Sequence, residues 1–156
     1  MTDALFPLVS TLHVLAALIW VGGMFFAHMV LRPALMQEQP GIRLGVWSHV
    51  LPRFFKWVWL AILILPVTGF HMVYMDFGDF KTAGQHVSIM HGLFWVMTGL
   101  FAYMFFKPYK AFKSDDDSDN FEEGFKHLAT IRSIVTINLV LGFVNVIIGV
   151  SGRFWG

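Results

Sequence analysis

Four long apolar stretches, each fenced by charged residues, dominate the chain: 4–31 between Asp3 and Arg32, 57–75 between Lys56 and Asp76, 82–106 between Lys81 and Lys107, and 133–152 between Arg132 and Arg153. Each is near or above the roughly 20 residues that cross about 30 Å of hydrocarbon at about 1.5 Å per residue. Backbone groups in lipid have no water to bond, so a spanning segment must satisfy its own donors and acceptors, and that selects helices over strands. The pattern predicts an all-α integral membrane fold. It is an antiparallel bundle of four transmembrane helices over about 6–31, 57–75, 86–107 and 132–152, forming one domain over residues 1–156. Short polar stretches around 37–41 and 114–120 read as turns.

Within the spans, small and polar residues fall on helical stripes. On the first, His13, Ala16, Ala17, Trp20, Gly23 and Ala27 recur at three-or-four spacing. The third carries His91, Trp95, Thr98, Gly99 and Ala102 in the same way, and the second aligns His71 with Thr68, Ile64, Ala61 and Trp57. Pro66 and Gly69 sit beside that line and could bend the second helix. The fourth span has no histidine, but Asn138, Gly142, Asn145, Gly149 and Gly152 make an inward seam of small and amide side chains. That seam reads first as a helix-packing surface, because asparagine in lipid needs partners and small residues let helices approach.

Composition agrees with the membrane assignment: 56% of the residues are hydrophobic and 13% charged, against about 25% charged in a soluble domain. The net charge of +1 and the lack of a basic stripe give no sign of nucleic acid. With no cysteine, disulfides, thiolate-bound zinc, iron–sulfur clusters and cysteine nucleophiles are excluded. The N-terminus lacks a basic segment and its apolar run is too long for a cleavable signal, so it is expected to remain as a helix.

Lys and Arg then set orientation. Arg32, Arg43, Arg53, Lys56, Lys107, Lys110, Lys113, Lys126 and Arg132 fall at one end, and only Lys81 and Arg153 at the other. The positive-inside rule predicts cytoplasmic loops at the basic end, termini at the periplasmic side, and residence in the inner membrane. The acidic run at 115–119 reads as a solvated loop.

Histidines carry the candidate chemistry. Of seven, His13, His71, His86 and His91 fall near the outer face. Imidazole in hydrocarbon is costly and points to pairing or to a cofactor, and neutral imidazole ligates haem iron, copper or zinc. The expectation is haem b bound by His13 and His91 as axial ligands, with His71 as a substitute, Trp20 and Trp95 in the pocket, and Arg153 or Lys81 pairing with propionates. A second haem near His28 is the weaker expectation, because His49 and His127 lie in or near polar segments. Copper is the competitor: His71, Met72, Met75, His86, Met90 and His91 gather imidazole and thioether groups that suit Cu(I). No nucleotide loop, nucleophile elbow or carboxylate within a span suggests other chemistry.

The run from Leu12-His13-Val14 through Trp20-Val21-Gly22-Gly23-Met24 resembles the first helix of CopD-type membrane proteins. Arg53-Phe54, Pro66-Val67-Thr68-Gly69 and Met90-His91-Gly92 extend the likeness over all four spans. That resemblance implies copper uptake or resistance. More distantly, the plan is similar to HemJ-type protoporphyrinogen oxidases, four-helix haem b proteins in which His13 and His91 match the two histidine positions. Here Leu93 stands at that family's lysine position, and Ala27-His28-Met29 replaces its Pro-Arg run.

The reading from sequence is a haem b protein of the cytochrome b type transferring single electrons near the periplasmic face. A quinol or a periplasmic redox protein is the expected partner, and a homo-oligomer is allowed. Copper handling and HemJ-like oxidation, an oxidoreductase activity, stand as alternatives, beside a cofactor-free assembly subunit.

Overall fold

A computed structural model describes residues 5–117 and 121–155; side chains at Asp76, 115–117 and Arg153 fall outside the described set. Four helices are long and apolar enough to cross a membrane: α1 (Phe6–Leu35), α2 (Pro40–Met75), α3 (Gln85–Ser114) and α4 (Phe121–Ser151). No strand occurs among the described residues. The protein is an all-α, multi-pass membrane protein built as a four-helix bundle. α1 packs chiefly on α2 and α3 on α4, and large side chains knit the two pairs together.

The helices outrun the apolar stretches. The first basic loop, expected to extend from the end of the first span to Lys56, is a tight turn followed by helix from Pro40 onward. Gln39 is extended (φ −61°, ψ 148°), and Pro40 supplies the fixed φ that suits a first helical position. The added turns persist because Leu44 and Leu51 are buried, so that stretch has tertiary packing of its own. Pro66 does not end α2, which stays helical past it.

Among the described residues three segments widen to π-helical turns: Phe26–Leu31, Val73–Phe77 and Phe105–Tyr109. Two have a proline in or just beyond them, Pro33 and Pro108. A proline ring collides with the carbonyl four residues back and brings no N–H, so the ladder relaxes to wider spacing. Between α2 and α3 the chain turns at Gly78 (φ +81°) and Gly84 (φ +93°), backbone positions that a side chain would strain. The Asp79 carboxylate accepts a hydrogen bond from the Thr82 amide at 2.8 Å, and this bonding holds its pKa below the usual value.

Core side chains lie along the middle and the basic end of the bundle. Trp20 is 2% exposed and meets the edges of Phe94 and Phe101 at 6.3 and 6.2 Å. Phe55 packs edge-on against Phe101 at 5.3 Å and Tyr109 at 4.9 Å. These T-shaped contacts join α1, α2 and α3 where backbone contact is sparse. Outward positions are apolar too: Val14, Leu18, Leu63, Val67, Val140 and Ile147 are all more than half exposed, as lipid-facing residues should be.

The seam on α4 is inward, as its spacing predicted. Asn138 is buried, and its amide Nδ2 donates to the Met97 carbonyl at 3.1 Å. A Cβ on Gly142 would stand 2.9 Å from Val21 Cγ2, and one on Gly149 2.8 Å from Met90 Cε. A Cβ on Gly152 would overlap His86. The stripe on α1 also holds, with Ala16 and Trp20 buried and Gly23 closed over by Phe54.

The third stripe does not hold. Phe94, Met97, Phe101 and Met104 form the buried face of α3, while Trp95 is 51% exposed and Gly99 meets nothing. The true face is rotated by about 100° from the one expected. On α2 the expected line is half right: Ala61 and Thr68 are buried, but Trp57 is 55% exposed.

Candidate metal-handling site

At the end of the bundle that carries the termini, α1, α2 and α3 supply His13, His71, His86 and His91. His13 is one turn before Ala16 on the buried stripe, so its ring enters the α1–α2 contact. There Nδ1 lies 2.8 Å from Thr68 Oγ1, and the ring edge is 3.4 Å from where a Cβ on Gly69 would be. Thr68 spends its own hydroxyl hydrogen on the Ile64 carbonyl at 2.7 Å, so toward His13 it accepts. This arrangement suits the tautomer with the hydrogen on Nδ1 of His13, which leaves the Nε2 lone pair open. A metal-binding imidazole is commonly prepared in this way by a partner on its far nitrogen.

His91 has the opposite character. The Trp95 indole donates its N–H to His91 Nε2 at 2.9 Å, which occupies that lone pair. Phe70, Phe80 and Trp95 surround the ring with centroids 5.1, 5.3 and 5.8 Å away. An aromatic box of this kind positions an imidazole without freeing it for a ligand.

A haem clamp needs an unshared nitrogen from each of two rings turned to a common centre. The His91–Trp95 bond uses one of them, and Ala16, Trp20, Leu65 and Phe94 fill the bundle below the histidines. Trp95 itself lies on the outward flank of α3. The haem expectation draws no support from these residues. Arg153, assigned there to propionates, has its side chain outside the described residues.

The other members of the outer group are His86 and Met90. They stand one turn apart on α3, Met90 pressing on Gly149 of α4 and His86 on Gly152 just past its end. His71 is half-buried near the end of α2. Among the described residues no three His, Asp or Glu side chains gather into a metal-binding group. Any site here has to draw on methionine as well.

At the basic end the histidines are separate. His28 approaches Thr136 Oγ1 at 3.4 Å, and His49 donates to its own helix at the Gly45 carbonyl, 2.7 Å away. This gives no support to a second centre. What sequence reading missed at this end is a cleft of about 90 Å³ between α1, α2 and α4. Its arginines lay scattered over three helices, and their only trace in the sequence was the excess of basic residues.

Comparison with known proteins now adds to this geometry. Residues 48–151 match the family described as Copper resistance protein D, abbreviated CopD. The chain belongs to the CopD family. A protein of Aquifex aeolicus (strain VF5), described as an uncharacterized protein, is 30% identical over 144 residues, covering 91% of each chain. No solved structure matches. The CopD match takes in α2 from Ser48 onward, all of α3, and α4 to its end, and so includes Thr68, Gly69, His71, His86, Met90 and Gly149, with Gly152 just past it. His13 lies before it.

Proposed function

We propose that this CopD-family protein handles copper in the inner membrane, with Cu(I) as its cargo at the end of the bundle that carries the termini. The observation that carries the reading is the pairing of His86 and Met90, an imidazole and a thioether one helical turn apart, Met90 held against Gly149 of α4 and His86 against Gly152 just past its end. Such neutral, soft donors select Cu(I) over harder divalent ions. The absence of any acid from the apolar stretches fits a monovalent cargo better than a divalent one.

His13 is the second donor in this reading, because the Thr68 bond leaves its Nε2 available. His71, Met72 and Met75 at the end of α2 extend the set, and His91 serves as a wall held by Trp95 until that bond is given up. Copper passes between neighbouring imidazole and thioether groups without a change in their charge.

Purified protein, titrated with Cu(I) against a chromophoric chelator, is expected to bind copper stoichiometrically and to show no Soret band. His13→Ala and Met90→Leu each remove a donor and should weaken binding by at least about 10–100-fold, the range already seen when a ligand loses only its supporting partner. A colourless protein that leaves all copper with the chelator overturns the proposal. So does a low-spin haem spectrum lost in His13→Ala.

A further inference from the structure

The cleft at the basic end combines a greasy floor with a cationic rim. Leu51, Phe55 and Ile131 are buried along it, while Arg32, Arg43 and Arg132 come from α1, α2 and α4. All three arginines line the same cleft, beside His28. Arg43 lies over the Phe125 ring at 5.1 Å, which orients its plane. Among the described residues none of the three has a carboxylate partner, whereas Lys126 is paired with Glu122 and Glu123. Guanidinium groups set beside an apolar floor suit an anion with a hydrocarbon body.

Depth in the membrane narrows the choice of anion. The cleft lies where α1 ends at Leu35, α2 begins at Pro40 and α4 begins at Phe121, and Trp47 lines it. Helix ends with an interfacial tryptophan belong at the headgroup level of a bilayer. Just beyond, Phe26 and Val30 are 55% and 49% exposed on α1, a surface for acyl chains. Basic pockets between transmembrane helices on the cytoplasmic side suit phospholipid phosphates, and the guanidinium fork matches a phosphate bidentately. We propose that this cleft is a specific site for the phosphodiester headgroup of an anionic phospholipid, held by Arg32, Arg43 and Arg132. The site is independent of copper and of the outer histidines.

Native mass spectrometry of the full-length protein, with phosphatidylglycerol and phosphatidylcholine in competition, tests it. One phosphatidylglycerol per chain should persist in preference to phosphatidylcholine. Arg43→Gln with Arg132→Gln should weaken retention by roughly fivefold per guanidinium removed. Lys110→Gln with Lys113→Gln, at the same end but outside the cleft lining, should leave retention unchanged. Equal retention of the two lipids overturns the proposal, as does wild-type retention in the arginine double variant. Displacement of the lipid by inorganic phosphate at matched concentration also overturns it, since it would mark a site for soluble anions. The competition between lipids uses wild-type protein alone, so it decides the matter even if the arginine variant does not fold.

Discussion

At the scale of single residues, the informative fact is which nitrogen of each histidine is spoken for. His13 and His91 look equivalent in the sequence, each near the start of an apolar helix running the same way. Their partners separate them: Thr68 accepts from His13, while Trp95 donates to His91. A partner 55 residues away leaves no mark on local spacing, so this difference was not legible in the chain. Thr68→Val keeps the shape of the side chain and removes the acceptor. The Leu65 carbonyl remains within reach of His13, so orientation should be loosened rather than lost. Cu(I) affinity should then fall by about tenfold, the low end for loss of a supporting hydrogen bond. A chelator competition that finds wild-type affinity would remove His13 from the proposed site.

At the scale of helices, legibility depended on contrast. Glycine and asparagine stand out against the aliphatic residues of α4, so its inward seam could be read directly. α3 is apolar nearly all round, and its histidine, tryptophan and glycine drew attention to the wrong side. Its buried face is made of Phe94, Met97, Phe101 and Met104, which no periodicity distinguishes from the lipid-facing Val96 and Tyr103. Within the α4 seam, steric fit should outweigh hydrogen bonding. The Asn138 bond to Met97 joins two helices, yet such bonds in membranes average only about 0.6 kcal/mol, and Asn138 Oδ1 has no partner to lose. Asn138→Leu, which keeps the number and branching of side-chain heavy atoms, should therefore change stability by less than about 1 kcal/mol. Gly142→Leu must push Val21 and Met97 aside and should destabilise by about 1–3 kcal/mol. Unfolding midpoints of the two variants in the same detergent test this ordering, and a larger loss for Asn138→Leu would reverse it.

At the scale of the whole molecule, the two ends of the bundle differ in kind. One gathers imidazole and thioether groups with few cations, and the other gathers nine of the eleven Lys and Arg residues, three of them lining a cleft. Fold class and helix count followed from apolar length alone, whereas the cleft required α1, α2 and α4 to be brought together first. Both functional readings depend on which end faces the cytoplasm. Copper arriving from outside meets the histidine end first only if the termini are periplasmic, and the arginine cleft meets the anionic cytoplasmic leaflet only in that same orientation. The charge asymmetry favours it, since Lys and Arg near helix ends are retained on the cytoplasmic side. A chain without cysteine allows a direct check. Gln85 and Gln39 are both exposed, at opposite ends of the bundle. In intact spheroplasts, a membrane-impermeant maleimide should label Gln85→Cys and reach Gln39→Cys only after the membrane is opened. The reverse pattern would turn the bundle over, directing the histidine and methionine groups to cytoplasmic copper and leaving the arginine cleft on the face where anionic lipid is scarcer.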